Sequence, residues 1–392
     1  MPEIFRAALV APMTPGHPLL EDGAVVCEGD IPGASRTILA VGRFADVSRE
    51  FSGPVRDLGD VVLAPATFNS HVHLEMTHLL GRITSGKGFV PWVRDLVSQP
   101  LYTPDDACIL SELARLEARG TTFVADISTR NAAAMAALLA GTGHYFASFQ
   151  EAIGTVMPAD PQSLLHHLPQ SQAQTGRGQL SAAGHALYST SGELLRAAKQ
   201  VASSHALPYS LHLAEHEDED EILLTGKNPF LDLMRERGYI TGYKAPGKRP
   251  VPLAVELDLL DEHTLAVHCV TVTPSDMDAL AASHATVCLC PRSNEYIGVG
   301  HAPAAAMLAR GINVCLGTDG LCSAPDLNVY GELDWLKTHT LPDLTLTEGL
   351  ALITSNPARF FGVSDHLGSL APGRLARFSV VPPELSSLFL KG

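Results

Sequence analysis

Histidine and carboxylate residues at the ends of apolar runs are the part of this sequence best suited to chemistry. His71 and His73 follow one such run, and the alternation of an extended chain places their imidazoles on the same side. Four more ionisable groups lie in or just after later runs: His185, His212, His268 and Asp319. Because ionisable groups buried together are costly without a shared cation, the pattern predicts a metal site.

A repeated β-α pattern would bring these residues together. Short apolar runs rich in β-branched residues alternate with helical segments, which is typical of a parallel sheet. Eight runs fit this pattern: 61–68, 122–127, 145–149, 179–187, 208–214, 264–270, 285–290 and 312–317. Eight such units predict an α/β fold, a (β/α)8 TIM barrel, whose functional face lies at the carboxyl ends of its strands.

The two ends of the chain have a different pattern. Short strand-like runs separated by Gly and Pro occur near the N-terminus and again near the C-terminus. We predict that residues 1–62 and 366–392 form one small composite β-sandwich domain, and that the barrel spans 63–365.

The composition excludes several classes of function. The chain has 392 residues, 46% hydrophobic and 18% charged, as in an ordinary globular protein. Its net charge of −15 repels nucleic acid and anionic membrane surfaces, so neither is an expected partner. The N-terminus lacks the basic-then-apolar order of a signal peptide. The 7 cysteines, an odd number, suit free thiols in a reducing compartment, so we expect a cytoplasmic protein.

Several motifs, in this order, resemble the amidohydrolase superfamily. They are Asn-Ser-His-Val-His at 69–73, Gly-His-Ala-Leu-Tyr at 184–188, His-Leu-Ala-Glu at 212–215, Val-His-Cys-Val at 267–270, Cys-Pro-Arg-Ser-Asn at 290–294 and Gly-Thr-Asp-Gly at 317–320. The resemblance covers nearly the whole chain and is to the cytosine-deaminase-like branch, which contains aminofutalosine, guanine and adenosine-analogue deaminases and triazine chlorohydrolases. It implies the same barrel with a composite sheet domain, and a homodimer.

The resemblance also implies one divalent metal ion. In that branch the ion is held by the residues that correspond to His71, His73, His212 and Asp319. Nitrogen and oxygen ligands with an open position suit Zn²⁺, with Fe²⁺ or Mn²⁺ as alternatives. Binuclear relatives commonly carry a modified Lys at the end of the fourth strand, where this sequence has His185. The site is therefore expected to be mononuclear.

Catalytic roles follow from the same resemblance. Glu215 matches the carboxyl group that carries protons to the ring nitrogen and to the departing ammonia. Asp319 accepts the proton of the attacking water while it remains a ligand. His268 orients that water or, as in binuclear relatives, ligates a second metal, and His185 contacts the substrate. The other members of the acidic run, 216–221, are expected on a solvated face.

The loop after the first run indicates the type of substrate. His-x-His-x-Glu followed by Phe-x-x-Trp resembles aminofutalosine deaminases, in which Glu75 and Trp92 would hold a polar group and stack on a ring. A helix-capping Glu and a core Trp are the alternative interpretation. Arg292 is a further candidate for substrate binding, and Gln150 and Glu151 follow the third run where they could reach the substrate.

The sequence therefore predicts a metal-dependent hydrolase of C–N bonds. It would remove an amine from a small heterocyclic substrate, a purine-like nucleoside or related amino-heterocycle of the aminofutalosine type, through hydroxide generated at the metal. Two alternatives stay open: the same site used to release chloride or to open a cyclic amide, and an inactive barrel that serves as a scaffold. Retention of all four expected ligands and Glu215 argues against the scaffold.

Overall fold

The computed structural model describes residues 1–29, 35–101, 103–165, 176–237 and 243–390. Within these ranges the chain divides into two compact units. One contains Met1–Phe68, Leu116–Thr122 and Val329–Gly392, and the other contains Asn69–Arg115 and Phe123–Asn328. All of the residues predicted to do chemistry belong to the second unit.

The strands and helices are as follows. The strands are β1 (Glu3–Val10), β2 (Leu20–Cys27), β3 (Ile38–Arg43), β4 (Val55–Asp57), β5 (Val62–Pro65), β6 (Thr67–Val72), β7 (Thr121–Ser128), β8 (Tyr145–Ala152), β9 (Gly178–Ala186), β10 (Tyr209–Leu213), β11 (Thr264–His268), β12 (Thr286–Leu289), β13 (Val314–Leu316) and β14 (Phe378–Val381). The helices are α1 (Phe44–Glu50), α2 (Phe89–Leu96), α3 (Asp106–Ala118), α4 (Ala132–Ala140), α5 (Gly192–Ser204), α6 (Glu217–Thr225), α7 (Pro229–Glu236), α8 (Pro250–Glu256), α9 (Pro274–Ser283), α10 (Pro291–Ile297), α11 (Ala304–Ala309), α12 (Val329–His339), α13 (Leu346–Ile353), α14 (Ser355–Phe360) and α15 (Pro383–Leu390), with 3₁₀ turns at Leu74–Leu79 and Pro161–Leu164.

Strands β6 to β13 form a nearly closed parallel barrel, which confirms the predicted fold. They lie side by side in chain order, and most of their residues are buried. Burial on both faces explains why these strands appear in the sequence as continuous apolar runs rather than alternating ones.

The first predicted barrel strand, 61–68, differs from the strand found in the structure. The run 61–68 is shared between two sheets, because Val62–Pro65 pairs antiparallel with Phe378–Val381 and only Thr67–Val72 belongs to the barrel. The barrel strand therefore includes polar residues that the apolar pattern placed after it, such as Asn69 and His71, both fully buried.

Both ends of the chain contribute to the second sheet, as predicted. Strands β14, β5, β1, β2 and β3 lie side by side in this order, and β4 pairs with β1. One face of the sheet packs on a core that includes Phe5, Val25 and Leu63.

Capping residues mark where several barrel helices begin. The Ser191 hydroxyl accepts a hydrogen bond from the backbone N–H of Leu194 at the start of α5. Thr273 and Asp276 form a reciprocal capping box at the start of α9, and such caps satisfy N–H groups that have no partner inside the helix. None of the helices within the described ranges is long and apolar enough to cross a membrane.

The barrel closes where its last strand meets its first. The backbone N–H groups of Thr318 and Asp319 both donate to the carbonyl oxygen of His71, at 3.0 Å each. The Asn69 side chain donates to the Thr318 hydroxyl at 2.8 Å, across 249 positions of the chain. Closure thus holds the segments that carry His71 and Asp319 together.

Gly317 allows this close approach. A Cβ atom on Gly317 would lie 2.7 Å from both Cβ and N of His71. We expect Gly317→Ala to destabilise the protein by about 1–3 kcal/mol, as overpacking does in a buried core, and to lower its metal content by displacing His71. Thermal denaturation and elemental analysis measure these effects. In the control Gly141→Ala, the nearest contact of the new Cβ is 3.3 Å, and a Gly317→Ala midpoint equal to that of Gly141→Ala would contradict the prediction.

Candidate active site

Four side chains converge at the carboxyl ends of the barrel strands. His71 lies in β6, His73 follows it, His212 lies in β10 and Asp319 follows β13. The Nε2 atom of His212 lies 3.2 Å from Nε2 of His71 and 3.4 Å from Nε2 of His73. Asp319 Oδ1 lies 3.7 and 3.4 Å from the Nε2 atoms of His71 and His73. The four groups that the sequence predicted as metal ligands therefore point at one small space.

These distances fit a single metal ion. Four nitrogen or oxygen atoms about 2.1 Å from a zinc ion stand about 3.4 Å apart in a tetrahedron, and the observed separations of 3.2 to 3.7 Å bracket that value. The three histidines also form a cluster with metal-ligating geometry on the distances between their nitrogens alone. Three imidazoles and one carboxylate are a donor set that divalent zinc accepts.

The protonation states of these groups suit metal binding as well. Burial lowers the pKa of His73 to about 3 and that of His212 well below its ordinary value, so both imidazoles are neutral, as ligands must be. Burial alone would raise the pKa of Asp319, but the neighbouring imidazole of His71, 3.7 Å from Oδ1, holds that pKa well below the ordinary value. Asp319 is therefore a carboxylate.

Hydrogen bonds on the far sides of two ligands fix their orientation. His212 Nδ1 donates to the carbonyl oxygen of His185 at 3.0 Å, which leaves the lone pair of Nε2 for the metal. The hydroxyl groups of Ser293 and Ser323 donate to Oδ2 of Asp319, at 2.6 and 2.7 Å, and so turn Oδ1 towards the histidines. The sequence contained no signal for either serine as a partner of Asp319.

Glu215 lies immediately after β10, beside the same space. It is 6% exposed, and its Oε1 lies 3.7 Å from Nε2 of His268. Burial, together with the charge of Asp319, raises the pKa of Glu215 to about 8. The carboxyl group thus keeps its proton at neutral pH and can donate it to a bound molecule. Nδ1 of His268 donates to Oδ1 of Asn294 at 2.9 Å, which leaves its Nε2 facing Glu215.

Backbone strain is concentrated at these strand ends. Ala214, His268, Cys269 and Asp319 have φ angles of 51°, 73°, 49° and 60°. The left-handed conformation costs a residue other than glycine about 1–2 kcal/mol, and it persists only where the surrounding structure enforces it. The chain thus turns sharply where it presents the residues of the site.

The acidic run after β10 corrects one prediction. Residues 216–221 are not uniformly solvated, because Glu219 is fully buried and its Oε2 accepts a hydrogen bond from the backbone N–H of Glu215 at 2.9 Å. His216 is also buried, and its ring stacks on Phe89 with 3.6 Å between centroids. The reason is that α6 begins at Glu217, so part of its first turn faces the protein.

A cavity of about 580 Å³ opens beside the metal ligands. Its size is that of sites that enclose small organic ligands. Apolar and aromatic side chains form much of the lining, among them Phe89, Trp92, Leu96, Phe230 and Met234. The polar and charged members include His73, Glu75, Arg130, Glu151, His185, His212, Glu215, His268 and Asp319.

Two of the predicted substrate contacts, His185 and Trp92, line this cavity. Nδ1 of His185 lies 2.5 Å from the hydroxyl of Ser189, and burial lowers the pKa of His185 to about 4, so its ring is neutral. Trp92 Nε1 donates to the carbonyl oxygen of Cys322 at 3.2 Å, which fixes the indole ring. The structure therefore places both rings where a bound molecule can meet them, and their contact with substrate stays a prediction.

Arg292 is placed differently. Its Nη1 donates to Oδ1 of Asp326 at 2.8 Å, and it does not line the cavity that the described residues enclose. A contact between Arg292 and substrate stays a prediction that the cavity does not support.

Glu75 lines the cavity, but its two carboxylate oxygens are engaged at the start of α4. Oε1 accepts a hydrogen bond from the backbone N–H of Thr129 at 2.7 Å. Oε2 accepts from the backbone N–H and the side-chain amide of Asn131, at 3.1 and 3.0 Å. The contacts are those of the helix-capping alternative, and a contact with substrate stays a prediction.

Glu75→Gln separates these two roles. The amide group of Gln turns one acceptor into a donor that faces N–H groups, so we expect the variant to lose about 1–3 kcal/mol of stability. Thermal denaturation measures the loss, with the exposed Glu117→Gln as a control. A raised KM at an unchanged unfolding midpoint would contradict the capping role and assign Glu75 to the substrate.

Two further buried carboxyl groups, Asp126 and Glu151, lie in strands of the barrel. Asp126, in β7, accepts hydrogen bonds from the backbone N–H of Leu74 at 3.0 Å and the hydroxyl of Ser128 at 2.8 Å. Burial raises the pKa of Asp126 to about 7 and that of Glu151, in β8, to about 8. A carboxyl group inside an apolar run was the available signal for Asp126. Glu151 was noticed only by its position after the third run.

The model of the Amidohydrolase family matches residues 62–391 of the chain. Among curated relatives, the 5-methylthioadenosine/S-adenosylhomocysteine deaminase of Nitratidesulfovibrio vulgaris (strain DSM 19637 / Miyazaki F) is 30% identical over an alignment of 400 positions, gaps included, which covers 96% of this chain and 83% of the relative.

Two solved structures share the fold. Helicobacter pylori aminofutalosine deaminase in complex with methylthio-coformycin has a TM-score of 0.83 at 20% identity and covers 98% of this chain and 95% of its own. An adenosine deaminase from Xanthomonas campestris with bound zinc has a TM-score of 0.75 at 22% identity and covers 99% of this chain and 88% of its own.

Proposed function

Because the chain belongs to the amidohydrolase family, we propose that it is a mononuclear metal-dependent aminohydrolase that releases ammonia from an adenosine-type nucleoside. Substrates of the aminofutalosine type are favoured. The observation that carries the proposal is the cluster of His71, His73, His212 and Asp319 beside the buried carboxyl group of Glu215, where the cavity opens.

The ligand set supports zinc, with Fe²⁺ or Mn²⁺ as alternatives. His71, His73, His212 and Asp319 would hold the ion. When bound, a divalent ion of this kind lowers the pKa of a coordinated water towards about 7 and so supplies a nucleophile at neutral pH.

Glu215 and His268 carry the proton chemistry. Protonated Glu215 donates to the ring nitrogen next to the carbon that bears the amine, while water attacks that carbon. Asp319 takes the first proton of that water and later returns it to Glu215, and the Glu215 carboxylate takes the second proton from the added oxygen and passes it to the departing ammonia. His268 Nε2, 3.7 Å from Glu215 Oε1, orients the added oxygen. A carboxylate that can pass a proton from the added oxygen to the leaving group favours an amine over chloride, because ammonia needs a proton to leave and chloride does not.

The lining of the cavity and the relatives support the substrate class. Phe89 and Trp92 offer aromatic rings to a base or to an apolar substituent. The relative is named for deamination of 5-methylthioadenosine and S-adenosylhomocysteine, and the fold neighbour is named for aminofutalosine.

Ammonia release from a panel of aminated nucleosides tests the proposal. The panel contains adenosine, 5′-methylthioadenosine, S-adenosylhomocysteine and aminofutalosine, with an amino-triazine that carries chloride as the comparison. We expect metal-dependent release of ammonia from at least one nucleoside and loss of that activity with a chelator. A metal-loaded enzyme that is silent on every nucleoside, or that releases chloride alone, would contradict deamination.

A further inference from the structure

Glu151 has a carboxylate oxygen that nothing in the described structure uses. The residue lines the cavity, and its side chain is 1% exposed. Oε2 accepts a hydrogen bond from the hydroxyl of Thr129 at 2.7 Å, whereas Oε1 is buried and has no hydrogen-bond partner among the described residues. A buried polar atom without a partner costs about 1–3 kcal/mol, so this oxygen calls for a partner that binds in the cavity.

The position of the Glu151 side chain is fixed by hydrogen bonds to its Oε2 atom and to the residues that hold it. Glu75 holds the backbone N–H groups of Thr129 and Asn131 at the start of α4. Thr129 in turn holds Oε2 of Glu151. A series of hydrogen bonds therefore connects the start of α4 to Oε2 of Glu151. Oε1 is the one carboxyl oxygen of Glu151 that takes no part in this series.

His212 is not the missing partner. Oε1 of Glu151 lies 3.5 Å from Nδ1 of His212, but that nitrogen already donates to the carbonyl oxygen of His185 at 3.0 Å. The same hydrogen bond argues against a second metal ion held by Glu151, His185 and His212, although their ligand atoms lie within 4.8 Å of one another. A nitrogen that carries a proton has no lone pair for a metal.

The location of Oε1 indicates which part of a ligand it meets. It lies beside Nδ1 of His212, on the side of that ring opposite the Nε2 atom that would bind the metal, and it is close to His185. If the proposed function holds, the carbon that bears the amine sits at the metal and Glu215. Glu151 then faces a part of the nucleoside away from that carbon. The ring nitrogens of an adenine base are acceptors, whereas the sugar hydroxyl groups both donate and accept. A hydroxyl group is therefore a partner for this carboxyl group in either protonation state.

We propose, on the basis of the proposed function, that Glu151 is a substrate-binding residue that hydrogen-bonds a sugar hydroxyl group through Oε1 and makes the enzyme selective for ribonucleosides. Thr129 and Glu75 act as positioning residues for this contact.

Binding measurements on metal-loaded protein test this role. A Glu215→Gln background prevents turnover, and calorimetry then gives dissociation constants for adenosine, 2′-deoxyadenosine and 3′-deoxyadenosine. We expect Glu151→Gln and Glu151→Ala to weaken adenosine binding about 10- to 100-fold, as loss of a hydrogen bond to a carboxyl group does. Binding of the analogue that lacks the contacted hydroxyl should change by less than about threefold. The exposed Glu193→Gln is the matched control.

Equal weakening for all three nucleosides would overturn the proposal. So would a metal content in the Glu151 variants below that of the parent, because Glu151 would then act on His212 rather than on the ligand. If the alanine variant fails to fold, the glutamine variant, which keeps the shape of the side chain, decides. A failed proposed function looks different, since the metal-loaded parent then binds none of the nucleosides.

Discussion

Glu215→Gln is expected to lower kcat by about 10²- to 10⁴-fold, the usual contribution of a general acid-base group, without loss of bound metal. Gln has nearly the same shape but cannot carry a proton between the water-derived oxygen, the ring nitrogen and ammonia. The carboxyl group of Glu215 is buried, and its Oε1 lies 3.7 Å from Nε2 of His268, so the substitution removes a proton carrier from inside the site.

Steady-state rates of ammonia release measure this effect, and elemental analysis confirms the metal content. Glu217→Gln, two residues along the chain, makes the same change at an exposed position and should keep the activity of the parent. A Glu215→Gln enzyme within about threefold of the parent rate would remove Glu215 from the mechanism, because a general acid-base group contributes far more.

Asp319→Asn is expected to weaken metal binding more than 100-fold, beyond the effect of losing an outer-shell partner, and to reduce activity to background. The carboxylate is held by the hydroxyl groups of Ser293 and Ser323. An amide group in its place either presents its NH₂ group to these two hydroxyl groups or turns that group towards the histidines, where it cannot ligate a metal.

Metal titration followed by thermal denaturation is the direct test. A ligand at 100 times its dissociation constant stabilises the folded state by about 2.7 kcal/mol, so metal should raise the unfolding midpoint of the parent but not of Asp319→Asn. The exposed Asp278→Asn controls for the loss of one negative charge. Stoichiometric metal in Asp319→Asn would show that the three histidines suffice without the carboxylate.

The sequence allowed the barrel and the convergence of the histidines to be predicted because both depend on strand direction. Parallel strands bring their carboxyl ends to one rim, so His71, His212 and Asp319 meet whatever the details of the loops. The start of the first barrel strand could not be placed in the same way, since one apolar run serves two sheets.

The surroundings of the ligands depend on contacts that no local pattern encodes. The hydrogen bonds from Ser293 and Ser323 to Asp319 arise from helix α10, which follows β12, and from a turn that follows β13. Glu219 is buried within a run that its composition marks as solvated. Whether Glu75 faces a ligand or caps a helix is decided by the position of α4, which sequence periodicity does not give.

The closure of the barrel has a consequence for the order of events during synthesis. His71 and Asp319 belong to the first and last segments of the barrel, and they are joined directly by a hydrogen bond from the Asp319 backbone to the His71 carbonyl oxygen. A nascent chain that has not yet been extended to Asp319 can offer three histidines but not the fourth ligand. Domains generally fold as units during synthesis, so high-affinity metal capture in this protein should coincide with the docking of its last barrel strand, and the metal-loaded state marks a barrel that has finished folding.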